Sequence, residues 1–512
     1  MTPGDVLMLT PWLDPRAGGL CSIAHDILKA VVQGGRSVIL LLPSRETLGP
    51  AGFHATVVPA GPAYDWQTAA DSLKPFHDLR ELALADQLGL LPHTAPNRLS
   101  RVRAIHAQVD DLASNPHPRF TYQALASLVH ARAGVRPILI RSHHHAFEHC
   151  LEIVMSLSGL DYVALPDLQK RAILDGRLDL APLVHRHVHA NRQSLRETRW
   201  SLEILDNPIA HVAFHLQVLR NWRAELRLLD AVVSATEREA REREAQLLPD
   251  HPGASRFIPY ASSFQPPPPP ILRDRLRAFR DPGLLCRRGS SDQSERVRLS
   301  PDDRIVLFVG RPVREKGVYE LADALRRLYH EPRNIKGVYV GDFDAGIRAS
   351  LATLDPAHAS QYQLFTGHVS DLETLASLYA RADVLVLPSY FDAFALVGLE
   401  GLLMGTPFLV SEATSAADAY IDHPAREGVQ TALPIARPHP NDHRRYTGAS
   451  VESLTHQIAR ILDDEPLASR LAANGADFVR RHYNQPNMSQ AYLRLYNDLL
   501  AAPPPQPQVN FP

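Results

Sequence analysis

The stretch from Ala382 to Val410 constrains the fold more than any other part of the chain. Ala382-Asp383-Val384-Leu385-Val386-Leu387 is an apolar run rich in branched residues, the pattern of a parallel strand buried on both faces. Pro388 and Ser389 end it. From about Phe394 to Met404 the apolar spacing turns helical, and Gly405 followed by Pro407 gives a stop signal. Thr406 to Val410 reads as the next strand. Strand, loop, helix and strand make a βαβ unit, and open α/β sheets bind ligands at loops on the carboxyl ends of their strands. The amides of Phe394, Ala395, Leu396 and Val397 are expected to be unpaired at the helix start, a candidate phosphate site. Asp392 lies in the loop and Glu400 follows eight residues later, about two helical turns on. One acid is placed for a sugar hydroxyl and the other for a ribose. A sugar nucleotide offers both, with a diphosphate between them.

A second loop of this kind lies upstream. Asp303 to Gly310 reads as a buried strand, and a helix is expected from about Tyr319 to Tyr329. Between them stands Arg311-Pro312-Val313-Arg314-Glu315-Lys316-Gly317. Arg311 and Lys316 aim two cations and free amides at one anion. Fixed cations of this kind stabilise a departing nucleoside diphosphate without a metal. Gly337 to Asp342 is a strand ending in a glycine turn at Gly341. Tyr362 to Val369 is a strand and loop, and Asp371 to Arg381 a helix.

These two segments resemble the signatures of retaining glycosyltransferases of the GT-B fold, family GT4. One signature is Gly-Arg-x-x-x-x-Lys-Gly, matched by Gly310, Arg311, Lys316 and Gly317. The other is an acid, then Gly-Phe-Gly-Leu, then a second acid eight residues after the first. Here it reads Asp-Ala-Phe-Ala-Leu-Val-Gly-Leu-Glu, with Asp392 for the usual Glu and Ala393 and Ala395 for two glycines. The family's Gly-Gly-x-x-Glu after the next strand is replaced by Ala413-Thr414-Ser415-Ala416-Ala417-Asp418.

The resemblance implies an α/β chain of GT-B type. Two Rossmann-like domains face a cleft, with a helical insertion in the first domain and a C-terminal helix crossing back to it. It implies transfer of a hexosyl group from a nucleotide sugar to an acceptor hydroxyl with retention, independent of metal. The leaving phosphate itself takes the acceptor proton. Arg311 and Lys316 then hold the diphosphate, Glu400 the ribose and Asp392 the sugar hydroxyls. Gly341, His368 and Val369, and the helix start Phe394 to Val397, complete the donor side, with His368 and Val369 against the base. Gly18 and Gly19 resemble the glycine-rich first loop of the amino-terminal domain. The family's donor-side histidine is missing after Asp161 to Leu165, the next expected strand; either His145 or His143 supplies that contact or the function has moved. No cofactor beyond the donor is implied. The acceptor is a glycan, a lipid-linked saccharide or another hydroxyl compound.

The rest of the chain is organised around these segments. With 512 residues it exceeds one core, so two or more domains are expected. Asp5 to Leu9 is the first strand, Leu20 to Val32 a helix, and Ser37 to Leu42 the second strand. Residues 66–134 carry helical spacing and read as the helical insertion, with core packing the ordinary role of such stripes. Pro137 to Ile140 is a strand that leads into His143-His144-His145. Adjacent histidines cannot all point to one place, which argues against a metal. Residues 168–230 are helical, with His185, His187 and His189 on a solvated face. Asp230 to Ser234 is a strand, and Thr236 with Glu239 has capping-box spacing. Domains are placed at 1–262 and 301–480, with a crossing helix over 481–502. Residues 263–300 form the linker, where Pro266 to Pro270 is extended and Arg280 to Ser300 is exposed loop. The proline-rich tail, 503–512, is expected to be disordered.

A net charge of −2 argues against bulk nucleic-acid binding. Three cysteines give no disulfide framework, and the N-terminus lacks a signal-peptide pattern. A cytoplasmic location follows, compatible with peripheral contact at the inner membrane face. Two rival readings share the fold: a nucleotide-sugar-binding scaffold without catalysis, and an epimerase or phosphorylase.

Overall fold

The computed structural model describes residues 5–10, 19–43, 53–62, 64–92, 96–107, 122–142, 145–160, 165–198, 202–226, 228–241, 254–262, 286–288, 295–300, 302–313, 316–329, 334–389, 392, 394–412, 414, 416–421, 429–436 and 450–501. The chain divides into two compact units. The first comprises Met1–Ala190, Asp206–Pro259 and Gln485–Pro512, and the second Asn191–Leu205 and Tyr260–Asn484.

The first unit is built on β1 (Asp5–Leu9), β2 (Val38–Pro43), β3 (Phe53–Val58), β4 (Lys74–Phe76), β5 (Val102–Ala107), β6 (Ile138–Ser142), β7 (Ala231–Ser234) and β8 (Ser255–Phe257). Their order in the sheet is β4-β3-β2-β1-β5-β6-β7-β8. From β2 to β8 neighbours run parallel; β3 and β4 are antiparallel additions at one edge. The inner strands β1 and β2 are apolar runs that are buried, as a sheet covered on both faces requires, whereas the edge strands β4 and β8 are exposed or half-buried.

The last helix, Gln485–Ala501, belongs to this unit although it follows the second unit in sequence. It packs on the first helix, Gly19–Gln33, where a Cβ on Gly34 would fall 2.3 Å from Cδ2 of Leu493. Arg36 donates to Oδ1 of Asn497 at 2.8 Å. His106 of β5 is wholly buried; Nδ1 lies 2.6 Å from the Tyr496 hydroxyl and Nε2 2.8 Å from Oγ of Ser142. Burial pushes the imidazole pKa down to about 3, so the ring is neutral.

The second unit holds β9 (Cys286–Arg288), β10 (Glu295–Val297), β11 (Arg304–Val309), β12 (Ile335–Val340), β13 (Gln363–Gly367), β14 (Val384–Leu387), β15 (Phe408–Ser411) and β16 (Leu433–Ile435). Their order is β10-β9-β13-β12-β11-β14-β15-β16. The chain builds outward from β11 through β12 to β13, then returns to the other side of β11 for β14 and its successors. The order therefore reverses between β11 and β14, which pair in parallel with Val306 beside Val384 and Leu307 beside Leu385. Such a reversal opens a crevice at the carboxyl ends of the two strands.

One device recurs at the amino ends of both sheets. Asp230, just ahead of β7, accepts the Leu139 N–H at 2.7 Å and pairs with Arg136 at 2.9 Å. Asp383, just ahead of β14, accepts the Ile305 N–H at 2.8 Å and pairs with Arg304 at 3.2 Å. Each locks a neighbouring strand start in register.

Several expectations need correction. Residues 66–134 are not a helical insertion throughout: they contain β4 and β5, and β5 lies between β1 and β6 near the middle of the sheet. Arg103 and His106 break its apolar run, and the partner that makes His106 tolerable in the core is 390 residues away. The span read as exposed loop, 280–300, contributes β9 and β10, an antiparallel pair that extends the second sheet beyond β13. Short strands rich in charge suit a sheet edge and carry little apolar signal. The helices of 168–230 and the Thr236 cap are present: Thr236 Oγ1 accepts the Glu239 N–H at 3.2 Å. Residues 161–164, the Pro266 to Pro270 run and the tail 503–512 lie outside the described residues.

Candidate active site

The loops after β11 and β14 meet at the switch point. After β11 the chain makes a tight turn, the Lys316 N–H donating to the Val313 carbonyl at 3.0 Å. Gly317 then enters the helix Val318–Tyr329 with φ of 70°. A Cβ there would lie 2.1 Å from the carbonyl oxygen of Pro388, the residue that closes β14. Only a glycine allows both that backbone conformation and that approach. The contact brings Lys316 to the second loop, where Nζ donates to Oδ2 of Asp392 at 2.6 Å.

Asp392 heads the turn into the helix Leu396–Leu403. Its Oδ1 accepts the Ala395 N–H at 2.9 Å, and its carbonyl accepts the Ala416 N–H at 3.3 Å. Ala395 adopts a left-handed conformation, φ 59° and ψ 73°, where the family motif carries glycine. Its carbonyl accepts from the Tyr420 hydroxyl at 2.7 Å and from the Gly398 N–H at 2.9 Å. Phe394 is buried among Tyr260, Tyr420 and Tyr483, with ring centroids 5.1, 6.0 and 5.6 Å away. Gly398 fits beneath, since a Cβ there would meet Phe408 and Tyr420 at 2.7 and 2.8 Å. Among the described residues, the Leu396 and Val397 N–H groups have no intramolecular acceptor and lie at the positive end of the helix. The expectation of a free amide is thus corrected for Ala395, whose N–H is taken by Asp392.

Glu400 stands one turn further along this helix. Its Oε2 accepts from the Tyr379 hydroxyl at 2.7 Å. Burial pushes its carboxyl up to about 7, against the opposing effect of that hydrogen bond. Burial, with the nearby Tyr483, Asp392 and Glu400, holds the Tyr420 phenol well above its usual range.

The other expected residues are placed as follows. Arg311 is exposed in the loop with Lys316. Gly341 ends β12, its N–H bonded to the Gly367 carbonyl at 3.0 Å, and a Cβ there would strike the Gly310 carbonyl at 2.2 Å. His368 and Val369 follow β13, the former exposed and the latter half-buried. All these positions are at carboxyl ends of second-unit strands. In the first unit Gly19 is the first residue of its helix, while Gly18 lies outside the described residues. His145 opens the helix His145–Ser158, and His143 lies outside the described residues. Tyr379 and Tyr420 join the site without a signal in the sequence. Neither sits in a motif, and only the tertiary fold brings them to Glu400 and Ala395.

Residues 303–464, which carry both loops, match the family glycosyl transferases group 1. The matched residues lie within the second unit. Relatives agree with the match. An uncharacterized glycosyltransferase of Methanocaldococcus jannaschii is 35% identical over 22% of this chain and 29% of its own length. The glycogen synthase of Mycobacterium tuberculosis is 30% identical over 40% of this chain and 44% of its own. The alpha-D-kanosaminyltransferase of Streptomyces kanamyceticus is 27% identical over 61% of this chain and 69% of its own. The chain thus spans less than half the length of the first two. Among solved structures, the sucrose-phosphate synthase of Thermosynechococcus elongatus covers 98% of this chain with a TM-score of 0.56 at 18% identity. Anabaena HepE, solved with UDP and glucose, covers 97% with a TM-score of 0.53 at 13% identity. The chain has the GT-B fold. Among the described residues no helix is long and apolar enough to cross a membrane.

Proposed function

We propose that the chain transfers a sugar from a nucleotide-sugar donor to an acceptor hydroxyl, with retention of anomeric configuration. The observation that carries this is the meeting of Lys316 and Asp392 at the switch point, beside a helix start whose Leu396 and Val397 amides have no acceptor among the described residues, and ahead of Glu400. Lys316 and the Leu396 and Val397 amides receive the diphosphate, with Arg311 on the same loop adding charge. Glu400 receives the ribose hydroxyls, since Tyr379 occupies one carboxylate oxygen and leaves the other. His368 and Val369 border the base. The cations stabilise the departing diphosphate, and no metal is invoked.

The alternative, a nucleotide-sugar-binding scaffold without catalysis, is favoured by the missing donor-side histidine and by Ala393 and Ala395 in place of two glycines. Ala395 nonetheless takes the left-handed turn and is held there by two side chains, so this replacement leaves the turn intact.

Thermal-shift titration with UDP, GDP and ADP is expected to raise Tm with one of the three. Slow hydrolysis of the matching nucleotide sugar, followed by NMR of the released sugar, then reads the anomer. Absence of stabilisation by all three diphosphates would refute the donor assignment. Stabilisation without turnover, even with extracts as acceptor, would favour the scaffold.

A further inference from the structure

Both carboxylate oxygens of Asp392 are already engaged within the protein. Oδ2 accepts from Lys316 at 2.6 Å and Oδ1 accepts the Ala395 N–H at 2.9 Å. The side chain is only 11% exposed. The bond to Ala395 closes a turn that L residues avoid, because the left-handed conformation crowds the Cβ against the backbone. The buried Tyr420 hydroxyl holds the same residue from the carbonyl side. An aspartate suits this three-residue reach, as it does at helix caps, and a glutamate adds a methylene.

We propose that Asp392 is a positioning residue: together with Tyr420 it clamps the Ala395 turn and orients Lys316, and it does not receive a hydroxyl of the donor sugar. This rests on the nucleotide-sugar reading above. The turn sets the direction of the Leu396 and Val397 amides, so the clamp acts on the diphosphate site, whatever sugar is attached.

Calorimetric titration of UDP, GDP and ADP, and of UDP-glucose, GDP-mannose and ADP-glucose, tests this with wild type, Asp392→Ala and Tyr420→Phe. A positioning carboxylate changes binding of the bare diphosphate and of its sugar conjugate by one common factor. The expected result is a common loss on the order of tenfold for Asp392→Ala and a smaller common loss for Tyr420→Phe. A ratio between the two affinities that moves by more than about threefold overturns the proposal. A second measurement needs no ligand. Glycine takes the left-handed turn freely, so the Tm losses of both variants should shrink in an Ala395→Gly background. Equal losses in the two backgrounds overturn the clamp. If wild type binds none of the six ligands, the nucleotide-sugar reading falls, and the Tm cycle still decides whether the turn is clamped.

Discussion

The Tyr379 hydroxyl donates to Oε2 of Glu400 across 2.7 Å, joining the helix Leu372–Arg381 to the helix Leu396–Leu403. A buried phenol thus fixes one oxygen of the acid assigned to the ribose.

The first prediction concerns pH. Burial raises the Glu400 carboxyl from 4.5 to about 7. Between those values the folded chain holds a proton that the unfolded chain has released. The associated stability is fully present below about pH 4.5 and is lost as pH rises through about 7. Thermal melts from pH 5 to 8 should therefore show a descent in wild type that Glu400→Gln lacks. Tyr379→Phe removes a bond that favours the charged form, so its descent should move to higher pH. Parallel profiles for all three proteins would contradict this account.

Lys316→Ala should weaken binding of the nucleoside diphosphate by on the order of tenfold or more, as loss of a charge-assisted contact does. Lys316→Arg should recover part of it. The measurement is a titration at fixed salt, and unchanged affinity in Lys316→Ala would remove Lys316 from the diphosphate site.

Gly317→Ala places a methyl against the Pro388 carbonyl and forces a positive φ on an L residue. A loss of about 2 kcal/mol or more in stability is expected, with donor binding impaired together with it. Denaturant unfolding gives the first quantity. A variant as stable as wild type would mean that the two loops do not touch as described.

Tyr496→Phe leaves Nδ1 of the buried His106 without its hydroxyl partner. The expected cost is about 1–3 kcal/mol, with faster amide exchange in the helix Gln485–Ala501. Unaltered exchange there would show that the hydroxyl does not anchor the helix.

The parts legible in the sequence share a physical cause. Strands such as Val384–Leu387 and Arg304–Val309 are buried on both faces and announce themselves as apolar runs. Gly317 and Lys316 stand out because close backbone approach and fixed charge demand particular residue types at particular spacing. What escaped depends on partners far off in the chain. β5 hides behind His106, whose solvation is replaced by Tyr496 and Ser142. Tyr379 and Tyr420 serve the site through single hydroxyls, and a lone tyrosine in a helix leaves no pattern. The motif spacing points to Asp392 as a sugar ligand, but its bonds to Lys316 and to the Ala395 N–H depend on the turn around Ala395, which spacing alone does not show.

The first unit draws its outer helix, Gln485–Ala501, from beyond the whole of the second. On the ribosome, then, the amino-terminal sheet must wait with the Gly19–Gln33 face uncovered until translation has passed residue 485, while β9 to β16 form from one uninterrupted piece of chain. The half that begins first is the half completed last, and a ribosome stalled before that helix leaves His106 without the Tyr496 hydroxyl that completes its burial.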